Sequence, residues 1–380
     1  MTSEAPAFLD PRTGQYFPLQ TLAWRSPEGH PLMVTPMDGL TRGQIRRDHR
    51  SIWRYAAALP VDPAGAVSLG EGLTPLVPAS IDGLSCRLKL EWFSPTGSFK
   101  DRGASVLISH LRALGIEGVV EDSSGNGGAA IAAYGAAAGM RVGIFAPAYT
   151  QPAKIAQARA YGAQVTLVPG TRHDTEEAAM RAAETTYYAS HNWHPMFLQG
   201  TKTLGYEIWE DLGFRAPDNV IIPTGAGSNV LGCHMAFREL LAAGEISRLP
   251  RIFVTQPENC CPIHAALHPA WRGGAPLEVH PTVAEGTAIR APIRLQELVA
   301  AIRDTGGSSA AVSEDEIIGA ARLLASKGFY TEPTSAHAFA GLKQLVAAGV
   351  IEDGEETVVV LTGSGLKATQ FYAERFAQVP

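Results

Sequence analysis
The chain has 380 residues, 46% of them hydrophobic and 18% charged, with a formal net charge of -6 and no basic run; this excludes a disordered chain and argues against a nucleic-acid surface. Cys86, Cys233, Cys260 and Cys261 show no CxxC spacing, so neither a metal site nor a disulfide framework is expected. No apolar run reaches the length of a membrane span, and residues 1–10 lack a basic segment ahead of an apolar one, so a cytoplasmic protein without membrane contact is expected.

Residues 1–60 are rich in Pro, Gly and aromatic side chains and read as an arm over the main body, with one helix over 44–59. A Gly-punctuated loop, 68–76, precedes a strand over 86–90. From Lys100 the apolar positions Ala104, Leu107, Ile108, Leu111 and Leu114 recur at spacings of three and four, which predicts a helix closed by Gly115. Then come strand 118–121, helix 129–138, strand 141–146, helix 152–161, strand 164–168 and a helix over 174–188 capped by Asp174. After a gap the alternation resumes with strand 219–223, helix 230–243 and strand 251–255. Residues 257–294 are irregular, and helices 293–303, 314–326 and 335–348 lead to strand 357–361. Strands alternating with helices predict an α/β protein with two parallel sheets, whose ligands gather at the carboxyl ends of the strands.

Lys100 opens its helix, where negative charge is favoured. Taken alone it reads as an ordinary surface lysine on an amphipathic helix; a Schiff base on the lysine, with a phosphate supplying the anion nearby, is the alternative that removes the mismatch. Three loops fall at strand ends. Gly225, Ala226, Gly227, Ser228 and Asn229 read as a phosphate cup, because glycine lets the backbone approach an anion and a helix start offers free N–H groups, or equally as a tight strand-to-helix turn without ligand. The cup lacks a P-loop lysine and GxGxxG spacing, which disfavours a nucleotide. Ser123, Ser124, Gly125 and Asn126 suit a carboxylate and a ring hydroxyl, or equally a simple N-cap turn. Thr362 to Gly365 form the third loop.

PTGSFKDRG at 95–103, SSGNGG at 123–128, the 225–229 loop and LTGSGLK at 361–367 together resemble the fold-type II pyridoxal-phosphate enzymes, most of all the threonine synthases. SLGEGLTPL at 68–76, AEGTAIRAP at 284–292 and EPTSAHAFAGL at 332–342 extend the likeness over most of the chain from Ser68 onward. The resemblance implies a tryptophan synthase β-like fold: two parallel-sheet domains with pyridoxal 5'-phosphate in the cleft between them. It implies a large cofactor domain at 63–100 and 204–380, a smaller mobile domain at 101–203 and an N-terminal arm at 1–62. Lys100 is implied as the Schiff-base and acid/base residue, with Phe99 near the ring and Asn126 on its hydroxyl. Ser123, Ser124 and Gly127 are implied to hold the substrate carboxylate, the residues of the 225–229 loop the cofactor phosphate, and Thr362 or Ser364 the pyridine nitrogen. The implied activity is a lyase converting O-phospho-L-homoserine by elimination and water addition. A serine/threonine dehydratase, a β-replacement enzyme and a non-catalytic cofactor-binding homologue are alternatives. A homodimer is expected.

The chain departs from that pattern twice. The turns at 10–14 and 25–29 keep the outline of a Cys-rich ribbon without its cysteines, so no metal is expected there. In the segment from His191 and Asn192 to Phe197, related synthases carry Asn, Ser and Arg for the substrate phosphate. Phe197 stands at the arginine position, which weakens phosphate recognition. His191, His194 and Arg290 are the candidates to take its place.

Overall fold
The computed structural model describes residues 5–150 and 152–376. It divides into two units: one of residues up to Leu73, Ser94–Thr96 and Lys100–Leu204, the other of Thr74–Phe93, Gly97–Phe99 and residues from Gly205 on. In chain order the elements begin with β1 (Ala7–Leu9), β2 (Tyr16–Pro18), β3 (Met33–Val34), β4 (Leu76–Ile81), β5 (Leu84–Leu90), α1 (Lys100–Ala113), β6 (Gly118–Glu121), α2 (Asn126–Ala137) and β7 (Arg141–Pro147). They continue with α3 (Pro152–Ala160), β8 (Gln164–Val168), α4 (Arg172–Ala182), β9 (Tyr187–Tyr188), α5 (Pro195–Asp211), β10 (Asn219–Pro223), α6 (Ser228–Ala242), β11 (Arg251–Pro257) and α7 (Pro262–Leu267). The last are α8 (Leu295–Asp304), β12 (Ser309–Val312), α9 (Glu314–Ser326), α10 (Pro333–Ala347), β13 (Thr357–Leu361) and α11 (Thr369–Phe376).

The first unit holds a parallel sheet in the order β8-β7-β6-β9. Its core joins Leu107, Ile108 and Leu111 of α1 to Ile131 and Tyr134 of α2 and Val142 and Ile144 of β7. Helix α1 is buried well beyond an apolar stripe, from Asp101 to Leu111. Its hydroxyls are therefore answered by Trp53, Val67 and Glu71, which precede it in the chain. Ser105 Oγ shares its one proton between Val67 O (2.7 Å) and Glu71 (2.8 Å) and accepts from the Trp53 indole (2.9 Å), and Ser109 Oγ accepts from Val67 N (2.8 Å). Glu71 also takes the Tyr134 hydroxyl (2.8 Å), so one buried carboxylate ties the 68–76 loop to α1 and α2. Each of these buried polar groups is thereby paired, as burial demands.

The second unit is a six-stranded sheet, β12-β11-β10-β13-β5-β4, parallel except for the edge hairpin β4–β5. Helices α9 and α10 close one core, placing Ile317, Leu324, Phe339 and Leu342 with Ile221, Phe253 and Val359. Among the described residues, no helix is long and apolar enough to cross a membrane, and no group of His, Cys, Asp and Glu could hold a metal ion.

Several sequence expectations need correction. The helix over 44–59 is only two 3-10 turns, Arg42–Gln44 and Ile52–Ala58. The backbone there bonds elsewhere: Ile52 N donates to Glu71 O and Arg46 N to Arg54 O. The helix expected over 174–188 starts at Arg172 and ends at Ala182, while Tyr187 and Tyr188 pair with β6. Thr171 is the cap, and Asp174 reaches back to Thr171 N (2.6 Å) in a capping box. Helix α5, helix α7 and strands β4 and β12 were not expected from the sequence.

The two ribbon turns meet without cysteine. Asp10, fully buried, accepts from Arg12 N (2.9 Å) and Thr13 N (3.3 Å) and pairs with His30 Nδ1 (3.0 Å), while Ser26 Oγ accepts from His30 N (3.1 Å). Burial alone would raise the Asp10 carboxyl's pKa. The hydrogen bonds from Arg12, Ser26, His30 and Thr13 outweigh it and hold the carboxyl well below the usual carboxylate range. Replacing Asp10 with Ala is expected to destabilise the protein by about 1–3 kcal/mol in urea unfolding at pH 7, because buried donors lose their acceptor. Since the folded carboxyl ionises more readily than the unfolded one, the difference between the two proteins is expected to shrink as pH falls below 3.8.

Candidate active site
Lys100 is the first residue of α1 and is half-buried. The turn before it is closed by Asp101, whose carboxylate accepts from Thr96 N (2.7 Å) and the Thr96 hydroxyl. The Lys100 Nζ lies 5.5 Å from the centroid of the Phe197 ring. Phe197 is fully buried at the start of α5 and rests on Gly103, where a Cβ would come within 2.5 Å of three ring carbons. One turn on, a Cβ at Gly200 would overlap the Arg102 carbonyl oxygen. The DRG that follows the lysine is thus read by α5: only glycine admits the ring and the close backbone.

Strand β6 ends at Glu121, and Asp122 follows it into the Ser123–Gly128 loop; both acids are buried. Gly125 N donates to Ser123 Oγ (3.3 Å), and Gly128 is obligatory because a Cβ there would overlap the Ser123 carbonyl. Ser124 and Asn126 are half-buried, Asn126 as the first residue of α2. The His191 ring lies against Gly127, with a Cβ at Gly127 only 2.6 Å from Nδ1. His191 Nδ1 is 3.0 Å from Glu121 Oε1, and its backbone N–H donates to Oε2 (2.9 Å). Asp122 accepts from Tyr188 (2.8 Å) and Ser190 (3.4 Å).

Burial pushes the Glu121 carboxyl up to about 7, against the downward pull of the His191 and Asp122 hydrogen bonds and the Lys100 and Arg172 charges. Burial, and then the Glu121 charge, raise Asp122. Burial and the Lys100 charge hold His191 well below its ordinary value. His194 is committed elsewhere, with Nε2 at 3.0 Å from the Tyr187 hydroxyl and Nδ1 accepting from Met196 N (3.2 Å). Arg290 is an exposed residue of the second unit.

In the second unit, Gly227 caps α6 with a left-handed backbone (φ 86°). A Cβ there would overlap Leu298, and one at Gly225 would reach 3.0 Å from Thr287 Cα, so Gly225, Ala226, Gly227 and Ser228 form a tight cup. Both side-chain polar atoms of Asn229 are buried and unpartnered at this helix start. His337 sits beneath, between Thr255 Oγ1 (2.8 Å) and Thr287 Oγ1 (3.2 Å), kept neutral by burial with its pKa lowered to about 3. Two residues earlier on α10, Ser335 Oγ pairs with Thr362 Oγ1 (2.9 Å) and accepts from Gly363 N (2.8 Å). Ser364 Oγ accepts from Leu366 N (3.2 Å). Residues 97–99 run beside this loop, with Phe99 N donating to Thr362 O (3.0 Å) and Ser364 N to Gly97 O (3.1 Å).

An unsatisfied buried amide in a glycine cup at a helix N-terminus fits a phosphate group, and the half-buried lysine amine at the start of α1 is a nucleophile that fits a carbonyl carbon. The profile of the pyridoxal-phosphate dependent enzymes matches residues 67–363, and the chain belongs to that family. It is similar to the threonine synthase of Methanocaldococcus jannaschii, with 35% identity over 87% of this chain and 84% of that protein. It is also similar to that of Methanosarcina acetivorans, with 36% identity over 86% and 82%. The solved threonine deaminase of T.th. superposes with a TM-score of 0.63 at 26% identity, covering 77% of this chain and 92% of that one. Within the family the chain is a threonine synthase-like, fold-type II enzyme that depends on pyridoxal phosphate.

The structure gathers Lys100, Phe197, His191 and Gly127 in the first unit, with Asn192 half-buried beside His191. It gathers Phe99, Thr362 and Ser364 in the second. Sequence reasoning missed Glu121 and Asp122, and gave no role to Gly103 and His337, which lie inside the PTGSFKDRG and EPTSAHAFAGL motifs. Two adjacent acids ending an apolar strand were the available signal for the first pair. Because the unfolded Glu121 carboxyl ionises near 4.5 and the folded one near 7, stability is expected to fall as pH rises between those values. Glu121→Gln is expected to lack that fall. His191 gives the opposite slope below 6.5 and Asp122 titrates nearby, but both are retained in each protein, so the difference between two urea-unfolding series is the readout.

Proposed function
We propose that the chain eliminates an oxygen-linked group from the side chain of an α-amino acid and then adds water or releases ammonia, with Lys100 as the acid/base. The supporting observation is the Lys100 amine over Phe197, in the same unit as the Ser123–Gly128 loop. When bound, pyridoxal phosphate supplies the electron sink that makes the Cα proton removable. Asn229 and the N–H groups of 225–228 hold its phosphate, and Asn126 takes its ring hydroxyl. Phe99 packs near the ring. Thr362 or Ser364 meets its ring nitrogen with a hydroxyl, which does not force protonation there. Ser123, Ser124 and Gly127 orient the substrate carboxylate, so that the Cα–H bond is presented to Lys100 Nζ.

The relatives' name supports threonine as product and O-phospho-L-homoserine as substrate. Phe197, an aromatic ring where a phosphate would need a cation, favours a second reading, dehydration of serine or threonine. The proposal divides the chain into the arm (1–62), a cofactor domain (63–100 and 204–380) and a substrate domain (101–203). It also includes a homodimer, on the family resemblance, and a cytoplasmic setting, which four free buried cysteines suit.

The purified protein is expected to be yellow, and borohydride to fix the cofactor on Lys100. Lys100→Ala is expected to lose that attachment and at least about 10³-fold in turnover. A colourless wild-type protein that takes up no pyridoxal phosphate would refute the reading. Phosphate release from phosphohomoserine, set against keto-acid release from serine and threonine, distinguishes the two substrates.

A further inference from the structure
The surroundings of the Lys100 amine combine an aromatic ring with a buried carboxyl–imidazole pair. Phe197 lies under Lys100 Nζ, against Gly103, and edge-on to His191 with centroids 5.7 Å apart. His191 is held twice by Glu121, once through Nδ1 and once through its backbone N–H, and Asp122 N donates to the same carboxyl (3.1 Å). Its ring rests on Gly127 of the loop that faces the substrate carboxylate in the lyase reading. Nε2 makes no hydrogen bond with any described residue. Burial raises the Glu121 carboxyl and lowers His191, which favours a neutral pair, and the step below takes the tautomer in which Glu121 O–H donates to Nδ1 and Nε2 carries the ring proton. The charged groups whose fields reach the pair are Lys100, Asp122 and, on the first turn of α4, Arg172.

Leaving groups differ in what they ask of a site. Hydroxide is too basic to depart without a proton, water having a pKa of about 15.7. Phosphate, with a second pKa of about 6, departs unaided and asks instead for cations and N–H donors. An aromatic ring and a buried acid supply the first need and not the second.

We propose that the Glu121–His191 pair delivers a proton to a hydroxyl leaving from the substrate's β-carbon, and that the substrate is a β-hydroxy amino acid rather than a phosphate ester. This rests on the lyase reading above and sharpens it. The Cα–H bond breaks, its proton passes to Lys100 Nζ and its electron pair becomes the Cα–Cβ double bond. The Cβ–O bond breaks with its pair on oxygen. That oxygen takes the proton from His191 Nε2 and leaves as water, while Nδ1 takes the Glu121 proton. The pair ends as a carboxylate and a neutral imidazole of the other tautomer, and return of the proton from Lys100 resets both. His191 is then a catalytic residue and Glu121 its positioning and proton-supplying partner.

The test uses the holoenzyme with L-serine, L-threonine, β-chloro-L-alanine and O-phospho-L-homoserine. Chloride leaves without a proton, so it bypasses the pair. His191→Asn and Glu121→Gln are expected to lose roughly 10²–10⁴-fold in kcat on serine. On β-chloroalanine both are expected to stay close to wild type. The absorbance change of the bound cofactor on serine addition is expected to titrate at an unchanged concentration, which shows that folding and binding survive. An equal loss on serine and β-chloroalanine would assign the pair a structural role and overturn the proposal. Faster turnover of phosphohomoserine than of serine or threonine would overturn it while leaving the lyase reading intact. Failure to bind the cofactor would remove that reading and this proposal with it.

Discussion
Helices α1 and α5 meet through two glycines, and what the first unit offers a substrate depends on that approach. A side chain at Gly103 would strike the Phe197 ring, and one at Gly200 would strike the Arg102 backbone. At that separation dispersion is strong and nothing between the helices can adjust, so the first turn of each fixes the other. Across that contact the Lys100 Nζ lies 5.5 Å from the centroid of the Phe197 ring. The Val67–Glu71 segment secures the polar side of the same helix: Val67 and Glu71 pair with Ser105 and Ser109, so α1 can be buried almost throughout without an unsatisfied hydroxyl.

Buried charge is handled in two different ways. Asp10 is ionised because four partners converge on it, and a carboxylate so held does the joining that a metal and cysteines would do in a Cys-rich ribbon. Glu121 has fewer donors and complete burial, so desolvation prevails and the carboxyl is pushed towards its neutral form. A buried acidic side chain is thus held as an anion in one place and pushed towards its neutral form in another. The difference lies in the count of hydrogen bonds set against the cost of leaving water.

In the second unit, α10 organises both loops. Ser335 fixes Thr362 and Gly363, and His337 fixes Thr287 against the cup that begins at Gly225. Neither role needs ionisation, and His337 is buried deeply enough to stay neutral. The EPTSAHAFAGL motif is therefore a brace: its polar residues hold the glycine cup and the Thr362–Gly365 loop in place.

Local rules reached far in this chain. Strand–helix alternation identified two parallel sheets, and the resemblance of PTGSFKDRG and the glycine loops to the fold-type II enzymes implied pyridoxal phosphate. Those signals are short in sequence, where spacing, turn chemistry and a lysine at a helix start can be read directly. Pairings between distant segments could not be read that way. Strand β9 looked like the end of a helix because two tyrosines carry no periodicity, and helix α5 was hidden behind its Pro195 start and glycines. The helix expected at 44–59 failed because its backbone bonds to Glu71 and to its own turns instead. Most consequential is Phe197, which in sequence was the absence of an arginine. The structure shows it as a ring under the lysine and beside His191, with Glu121 behind, some 70 residues away in the chain. The cofactor and the fold were thus legible in the sequence alone. The surroundings of the lysine were decided by tertiary structure, because they depend on which buried groups share a desolvated space.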